Sequence, residues 1–326
     1  MSPGQTACDA FYPIIDLTKV ATLTGPVTAA LETEYEYRRP DGDIVRETDS
    51  RRITILARNQ FVFSSIPQEK IVGFCDNYAN GPLGLSSFVT HNDPVVQQLA
   101  GWISARGGGI APSTNNKDAI KFMGLLYGYI SESHIAYQTP PGGISGGKHY
   151  QHVKYARDVL HNRAGTCIDL AVLYASVAKA VGLRPVMFLL PGHCFPAVLL
   201  PDDNQLLPIE TTMMTGNADF DTAVRKGLEE VRGAKNDGRL IEVNVSNLQN
   251  EGVDALELTP VPVDYLEKLG YSQAGHSQPG GGQQPSGNQP GGVTDRCAEN
   301  LTPPVPVSLI SCGHPLQKLS SLRSDQ

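Results

Sequence analysis

The sequence predicts an α+β fold, and three observations carry that expectation. Residues 13–75 alternate apolar and polar side chains with the period of two that a strand requires, whereas from Asn92 onward the apolar period becomes helical. Residues 158–212 then set one almost wholly apolar helical stretch before three short extended runs. With 326 residues, 40% of them hydrophobic and 7% aromatic, the chain has room for two packed domains. The expected division is a small all-β sandwich at 1–90, an α+β domain at 91–270 and a low-complexity tail at 271–326.

In the first region Leu31, Thr33, Tyr35 and Tyr37 alternate with Glu32, Glu34 and Glu36. Pro40-Asp41-Gly42 supplies a turn, and 53–57 and 61–63 follow as further strands. Nothing there has catalytic spacing, so a structural or substrate-positioning role is expected. At Asn92-Asp93-Pro94 the pattern changes. Asp93 is placed to cap a helix, Pro94 suits its first position, and Val95, Val96, Leu99, Trp102 and Ile103 make one apolar face. Gly107-Gly108-Gly109 ends that helix; because these glycines follow a helix instead of leading from a strand into one, they are not a phosphate loop. Asn116 is the expected cap of a second helix, whose face is Ala119, Ile120, Met123, Leu126, Tyr127 and Ile130. Residues 140–148, PPGGISGGK, form a loop of the kind that flanks active sites.

Residues 158–212 are the informative stretch. Gly165 allows a tight turn, Thr166 is a good N-cap and Asp169 completes a capping-box-like pair, so a helix should begin at Cys167 and run to about Val181, where Gly182 stops it. Its apolar residues lie nearly all round, which is the pattern of a buried helix. Residues 185–190 read as an interior strand, Pro191-Gly192 as a turn and 193–200 as a second strand beginning with His193. Asp202-Asp203-Asn204 closes a hairpin into a third strand at 206–211, with Glu210 near its end and within reach of His193 across a ladder. A thiol at a helix N-terminus feels the positive end of the macrodipole and unpaired backbone N–H groups, which favour the thiolate. Cys167, His193 and Glu210 therefore stand in the order of nucleophile, base and orienting carboxylate.

These residues resemble the transglutaminase-like branch of the papain-like cysteine enzymes. The resemblance rests on Gly165-Thr166-Cys167-Ile168-Asp169-Leu170, Gly192-His193-Cys194-Phe195 and Ile209-Glu210-Thr211-Thr212. It extends more weakly over 85–235, through Phe88-Val89-Thr90 with Asp93-Pro94, Gln151 with Val153 and Tyr155, and Phe220 to Val224. It implies a catalytic triad of Cys167, His193 and Glu210 on a papain-like core. Many members carry Asp where this chain has Glu210 and Trp where it has Phe195; the longer Glu can still accept the imidazole N–H. Gln151 resembles the side-chain oxyanion donor of papain-like sites, although its spacing from Cys167 differs.

Other reactive side chains have plainer readings. Cys194 alternates away from His193 on its strand and is expected in the core. Asp169 is expected to cap the helix and His161 to be an exposed loop residue. The pairs His149/His152 and Cys312/His314 have metal-like spacing but no completing ligands, so no metal and no cofactor are expected.

A net charge of −7 argues against nucleic acid or an anionic membrane as the main partner. No basic leader with a long apolar run and no stretch of about 20 apolar residues is visible. Six scattered cysteines suit a reducing, cytoplasmic setting better than a disulfide framework. The Gly, Gln, Pro and Ser of 271–296 bury too little to offset ordering entropy, so a disordered linker is expected, with a possible docking segment beyond it. The expected activity is a thiol protease that hydrolyses a peptide or isopeptide bond of a protein or peptide substrate through a thioester. Amine transfer or deamidation by the same site and a non-catalytic binding module are the alternatives. Hydrolysis is favoured because the chain offers only Trp102 and Phe195 towards the dry aromatic channel that amine transfer requires.

Overall fold

The computed structural model describes residues 16–64, 70, 81–139, 144–145 and 148–274, with side chains described except at 17, 144–145 and 148–150. The expected tail from 275, and Cys8, Cys75, Cys297, Cys312 and His314, lie outside the described residues. The chain divides into two compact units, one ending at Arg58 and including Glu257–Thr259, the other holding Asn59–Leu256 and the residues from Pro260.

The first unit contains the single turn α1 (Leu17–Val20) and two long strands, β1 (Val27–Arg38) and β2 (Ile44–Ile55), paired antiparallel from Val27↔Ile55 to Arg38↔Ile44. Gly42 adopts φ +97° at the hairpin tip, a conformation that favours glycine. On one face Tyr35 and Tyr37 both donate their hydroxyls to Glu47, at 2.7 and 2.9 Å. Among the described residues this unit holds one two-stranded sheet, without the second sheet a sandwich needs. Its chemistry gives the reason: between Val45 and Ile53, β2 reads RETDSRR and offers no apolar face to cover.

The strand read at 61–63 is β3 (Gln60–Ser64), and it belongs to the second unit. Much of the chain separates it from its partner: α2 (Pro94–Arg106), α3 (Asn116–Glu132), β4 (Ala136–Tyr137) and β5 (Ile144–Ser145) come before β6 (Lys148–His152). β6 pairs antiparallel with both β3 and β5. Phe61 is drawn inward by edge-on contact with Phe88, the rings 5.9 Å apart. Asp93 caps α2 as expected, accepting the Val95 N–H at 2.9 Å. The cap of α3 is Asn115 and not Asn116, its side chain accepting from Asp118.

Next come α4 (Ala156–Asn162), β7 (Ala164–Gly165) and α5 (Cys167–Ala180). His161 is exposed, but on the helix α4 instead of a loop, where it hydrogen-bonds the Tyr265 hydroxyl at 3.0 Å. The buried ion pair of Arg157 with Asp93, 2.5 Å, ties α4 to the start of α2. α5 is buried over almost its whole length and lies against β8 (Arg184–Leu190) and β9 (His193–Leu199). Those strands join β10 (Leu206–Pro208) and β11 (Ile241–Asn244) in one antiparallel sheet ordered β10-β9-β8-β11. The sheet is covered on both faces. Val198 and Leu200 pack with Leu170, Tyr174 and Val177 of α5, while Phe188, Phe195 and Ala197 pack with Val231 of α6 (Phe220–Asn236). Gly227 permits α6 to approach, since a Cβ there would lie 3.0 Å from the Pro208 backbone. The helices α7 (Val245–Asn250) and α8 (Tyr265–Lys268) follow. Tyr271, read from sequence as the first tail residue, is only 2% exposed and donates its hydroxyl to the Leu160 carbonyl at 2.8 Å.

Candidate active site

The helix bearing Cys167 begins where the local chemistry says it should. The Thr166 hydroxyl accepts the Asp169 N–H and the Asp169 carboxylate accepts the Thr166 N–H, a reciprocal capping box that leaves Cys167 at the first helical position. Asp169 is therefore the structural residue it was expected to be, and its other oxygen accepts the Lys154 N–H at 2.7 Å. Burial raises the Asp169 carboxyl above its ordinary value against these hydrogen bonds. Cys167 itself is 5% exposed.

His193 is set by the turn before it. Leu190 and His193 close the β8–β9 hairpin, and Gly192 at φ +75° after Pro191 has the conformation that a type II turn needs at its third residue. The imidazole is half-buried, against Phe195 with ring centroids 5.6 Å apart. Its Nε2 lies 2.6 Å from Glu210 Oε2, and the Cys167 side chain is close enough to act on the same ring. Since Nε2 is taken by Glu210, Nδ1 is the nitrogen left for the sulfur.

Glu210 reaches His193 by a different route from the one expected. β10 ends at Pro208, so Glu210 is not on a strand; it caps the 3-10 helix Thr211–Gly216, accepting the Thr212 N–H at 3.1 Å and the Thr212 hydroxyl at 2.5 Å. The ladder runs Leu206↔Leu199 to Pro208↔Ala197, so its continuation would set Glu210 across from Phe195, on the face that also carries His193. The face argument survives although the strand stops: the Ile209 N–H still donates to the Pro196 carbonyl at 2.9 Å, Pro196 has no N–H to return the bond, and the Glu210 N–H turns away to the Ala223 carbonyl at 3.1 Å.

The electrostatics follow from these contacts. Burial pulls the His193 pKa down, but its hydrogen bonds to Cys167 and Glu210 and their charges outweigh that and push it up to about 10. Burial raises Glu210, and the bonds from His193 and Thr212 more than reverse it, so its carboxyl is held below the ordinary range. Cys194 lies on the opposite face of β9, opposite Leu189, where burial and then the charges of Cys167, Glu210 and Asp169 push its thiol well up. It is core, as its alternation implied.

Three participants were not read from the sequence. Thr212 donates its N–H and its hydroxyl to the Glu210 carboxylate. Tyr137 lies on β4, which pairs parallel with β7 as Tyr137↔Gly165, two residues before Cys167, and burial, then the nearby charges of Cys167 and Glu210, raise its phenol above the ordinary value. Lys154 places Nζ 2.8 Å from the Ala164 carbonyl and 3.1 Å from Gln138 Oε1, tying together the two strands that carry Gly165 and Tyr137. A two-residue strand has no periodicity to detect, so Tyr137 left no signal. Gln151 is half-buried on β6, and its amide nitrogen has no partner among the described residues; no described contact joins it to Cys167. Among the described residues no group of three His, Cys, Asp or Glu side chains could hold a metal ion. Nor is any described helix long and apolar enough to cross a membrane.

Comparison with known proteins bears on the same segment. Residues 145–207 match the family described as the transglutaminase-like superfamily, a span that contains Cys167 and His193 and stops just before Glu210. No curated protein matches the chain. Among solved structures, a candidate cysteine protease from Cytophaga hutchinsonii is similar at 13% identity and a TM-score of 0.27, over 59% of this chain and 66% of that one. The chain thus spans slightly less than two thirds of that protein's length.

Proposed function

From a transglutaminase-like segment with Cys167 at a helix start, we propose that the chain is a cysteine hydrolase cleaving a peptide or isopeptide bond through a thioester. The observation that carries this reading is the 2.6 Å bond of His193 to Glu210 with the Cys167 side chain acting on the same ring. An imidazole placed beside the thiol and held by Glu210 can take the thiol proton as sulfur attacks. As Sγ bonds the carbonyl carbon, the π pair moves to oxygen. Collapse breaks the C–N bond and the leaving amine takes the proton from His193. Water then attacks the thioester with His193 as base, releasing a carboxylate and free Cys167. Glu210 keeps the ring in one orientation and supports its positive charge.

Hydrolysis is favoured over amine transfer by the setting of the histidine. Its side chain is 26% exposed and the adjoining Pro191 and Gly192 are exposed, so water has access to the acyl group. Phe195 points into the core and does not wall a channel. The test is incubation with a peptide library containing glutamine together with a labelled primary amine, read by mass spectrometry. New termini that disappear in Cys167→Ala are expected. Amine incorporation without new termini would move the assignment to transfer, and neither product would mean a binding module.

A further inference from the structure

Ala164, Gly165 and Thr166 separate Arg163 from Cys167, and all three are buried. Each is also bonded through its backbone: the Ala164 carbonyl accepts Lys154 Nζ at 2.8 Å, the Gly165 carbonyl accepts the Gln138 N–H at 2.8 Å, and the Thr166 N–H donates to Asp169 at 2.9 Å. So short a connection has no slack, and a shift of Arg163 passes on to Cys167. Arg163 ends α4 with φ 48° and ψ 36°, the left-handed conformation that helix ends ordinarily give to Gly or Asn. A larger residue stays in it only where the surroundings impose it. Here the side chain supplies the constraint. Nη1 donates to the Ser133 carbonyl at 3.3 Å, Nη2 donates to the Leu269 carbonyl, and the guanidinium carbon is 4.7 Å from the centre of the Tyr271 ring. Ser133 is the C-cap of α3 and Leu269 that of α8, so one cation ties two helix ends to the approach to the nucleophile.

Leu269 and Tyr271 belong to a segment, residues 265–272, that is fastened along its length. The Tyr265 hydroxyl bonds His161 Nδ1 at 3.0 Å and the Tyr271 hydroxyl donates to the Leu160 carbonyl at 2.8 Å. Gln98 Nε2 donates to Glu267 at 2.8 Å and the Tyr129 hydroxyl to the Ser272 carbonyl at 3.0 Å. Three of its anchors, Leu160, His161 and Arg163, lie within the seven residues before Cys167. Resting on the thioester reading above, we propose that Arg163 is a positioning residue for Cys167 and that residues 265–272 are a strap which, docked on Arg163, sets the rate of acylation. Sulfur must meet the substrate carbonyl within reach of His193, and a misplacement of about 1 Å can cost about 100-fold in rate. With the strap docked, the guanidinium holds the left-handed turn and the turn holds the start of α5. With the strap released, the turn loses the two partners that Leu269 and Tyr271 supply, and the helix start moves with it. The strap acts on where sulfur sits and on no substrate group, so its loss falls on the rate of the chemical step and spares binding.

The test is burst acylation of the full chain by p-nitrophenyl acetate, resolved into a binding constant and a first-order acylation rate, with the folded fraction of each variant followed by circular dichroism. Arg163→Gly keeps the left-handed turn accessible and removes only the clamp. It should slow acylation by about 100-fold and leave the binding constant within about threefold of wild type. Arg163→Lys keeps the charge but not the fork that spans two carbonyls, and should fall between the two. Tyr271→Leu should also slow acylation, yet slow it no further in the Arg163→Gly background, because the strap acts through that side chain. A folded Arg163→Gly chain that acylates at the wild-type rate would overturn the proposal and leave the triad intact. So would losses that multiply in the double variant, or a loss that merely follows the folded fraction. If Arg163→Gly does not fold, Arg163→Lys decides by the same two constants, and a wild-type rate there would overturn the proposal. A wild-type chain that is not acylated at Cys167 would overturn the thioester reading, and this one with it.

Discussion

The Nε2 of His193 and the Oε2 of Glu210 are 2.6 Å apart although Glu210 is not on the strand beside it. The carboxylate caps the turn that follows β10 and is held there by Thr212, so its position owes more to a turn than to a ladder. A group fixed by its own cap can orient an imidazole without support from substrate.

Glu210→Gln tests that orientation. The amide keeps the shape but loses the charge that helps hold His193 at about 10. Turnover should fall by roughly 10²–10⁴-fold, the range seen when an orienting carboxylate is neutralised. The alkaline limit of activity, where the imidazolium is lost, should move down from near pH 10 towards the ordinary histidine value of 6.5. A pH–rate profile checks both, and an unchanged alkaline limit would remove Glu210 from the site.

The same pair fixes how stability depends on pH. His193 is raised in the folded chain, so its contribution is complete below 6.5 and is lost as pH rises through about 10. Glu210 is lowered, so its contribution is present above its ordinary 4.5 and is lost as pH falls through its folded value. The stability difference between wild type and Glu210→Gln should therefore be widest between about pH 4.5 and 6.5 and should shrink towards pH 10. Urea unfolding at a series of pH values measures it, and a difference that grows with alkalinity would contradict the pairing.

The two buried cysteines differ by environment. Cys167 stands at a helix start beside the His193 imidazole, whereas Cys194 is buried in the core with negative charge nearby. Iodoacetamide should label Cys167 quickly in the native chain, more slowly in His193→Ala, and Cys194 only after denaturation. Peptide mapping reads each site separately, and comparable native labelling of the two would be inconsistent with this difference.

Much of this site was legible because its signals are local. Thr166 and Asp169 lie three apart and name the start of α5, and the Pro191-Gly192 turn names the start of β9. Glu210 was legible as a partner but not as a cap, since its N–H leaves the ladder to donate to the Ala223 carbonyl of α6, a contact made only after folding. Tyr137, Lys154 and Thr212 act through contacts made only after folding, and neither a two-residue strand nor a lone lysine has a sequence pattern. The pairing of β3 with β6 spans some ninety residues, a separation that alternation alone does not reveal.

Tyr271 shows where composition misleads. It borders a Gly- and Gln-rich run, yet it stacks on Tyr129, lies under the Arg163 guanidinium and bonds the Leu160 carbonyl. Ending the chain at Gly270 should cost about 3–5 kcal/mol, as for removal of a buried aromatic side chain, whereas ending it after Ala274 should cost little. Denaturant unfolding of the two truncations decides, and equal stabilities would return the boundary to position 270.

The central claim is that Cys167 carries the acyl group between attack and release. Rapid quenching of the full chain with a cleavable peptide, followed by digestion and mass spectrometry, measures it directly. The account predicts a transient acyl adduct on the peptide containing Cys167, which decays as the free carboxylate appears and never forms in Cys167→Ala. Turnover that persists in Cys167→Ala, or an adduct that maps to another residue, would contradict it.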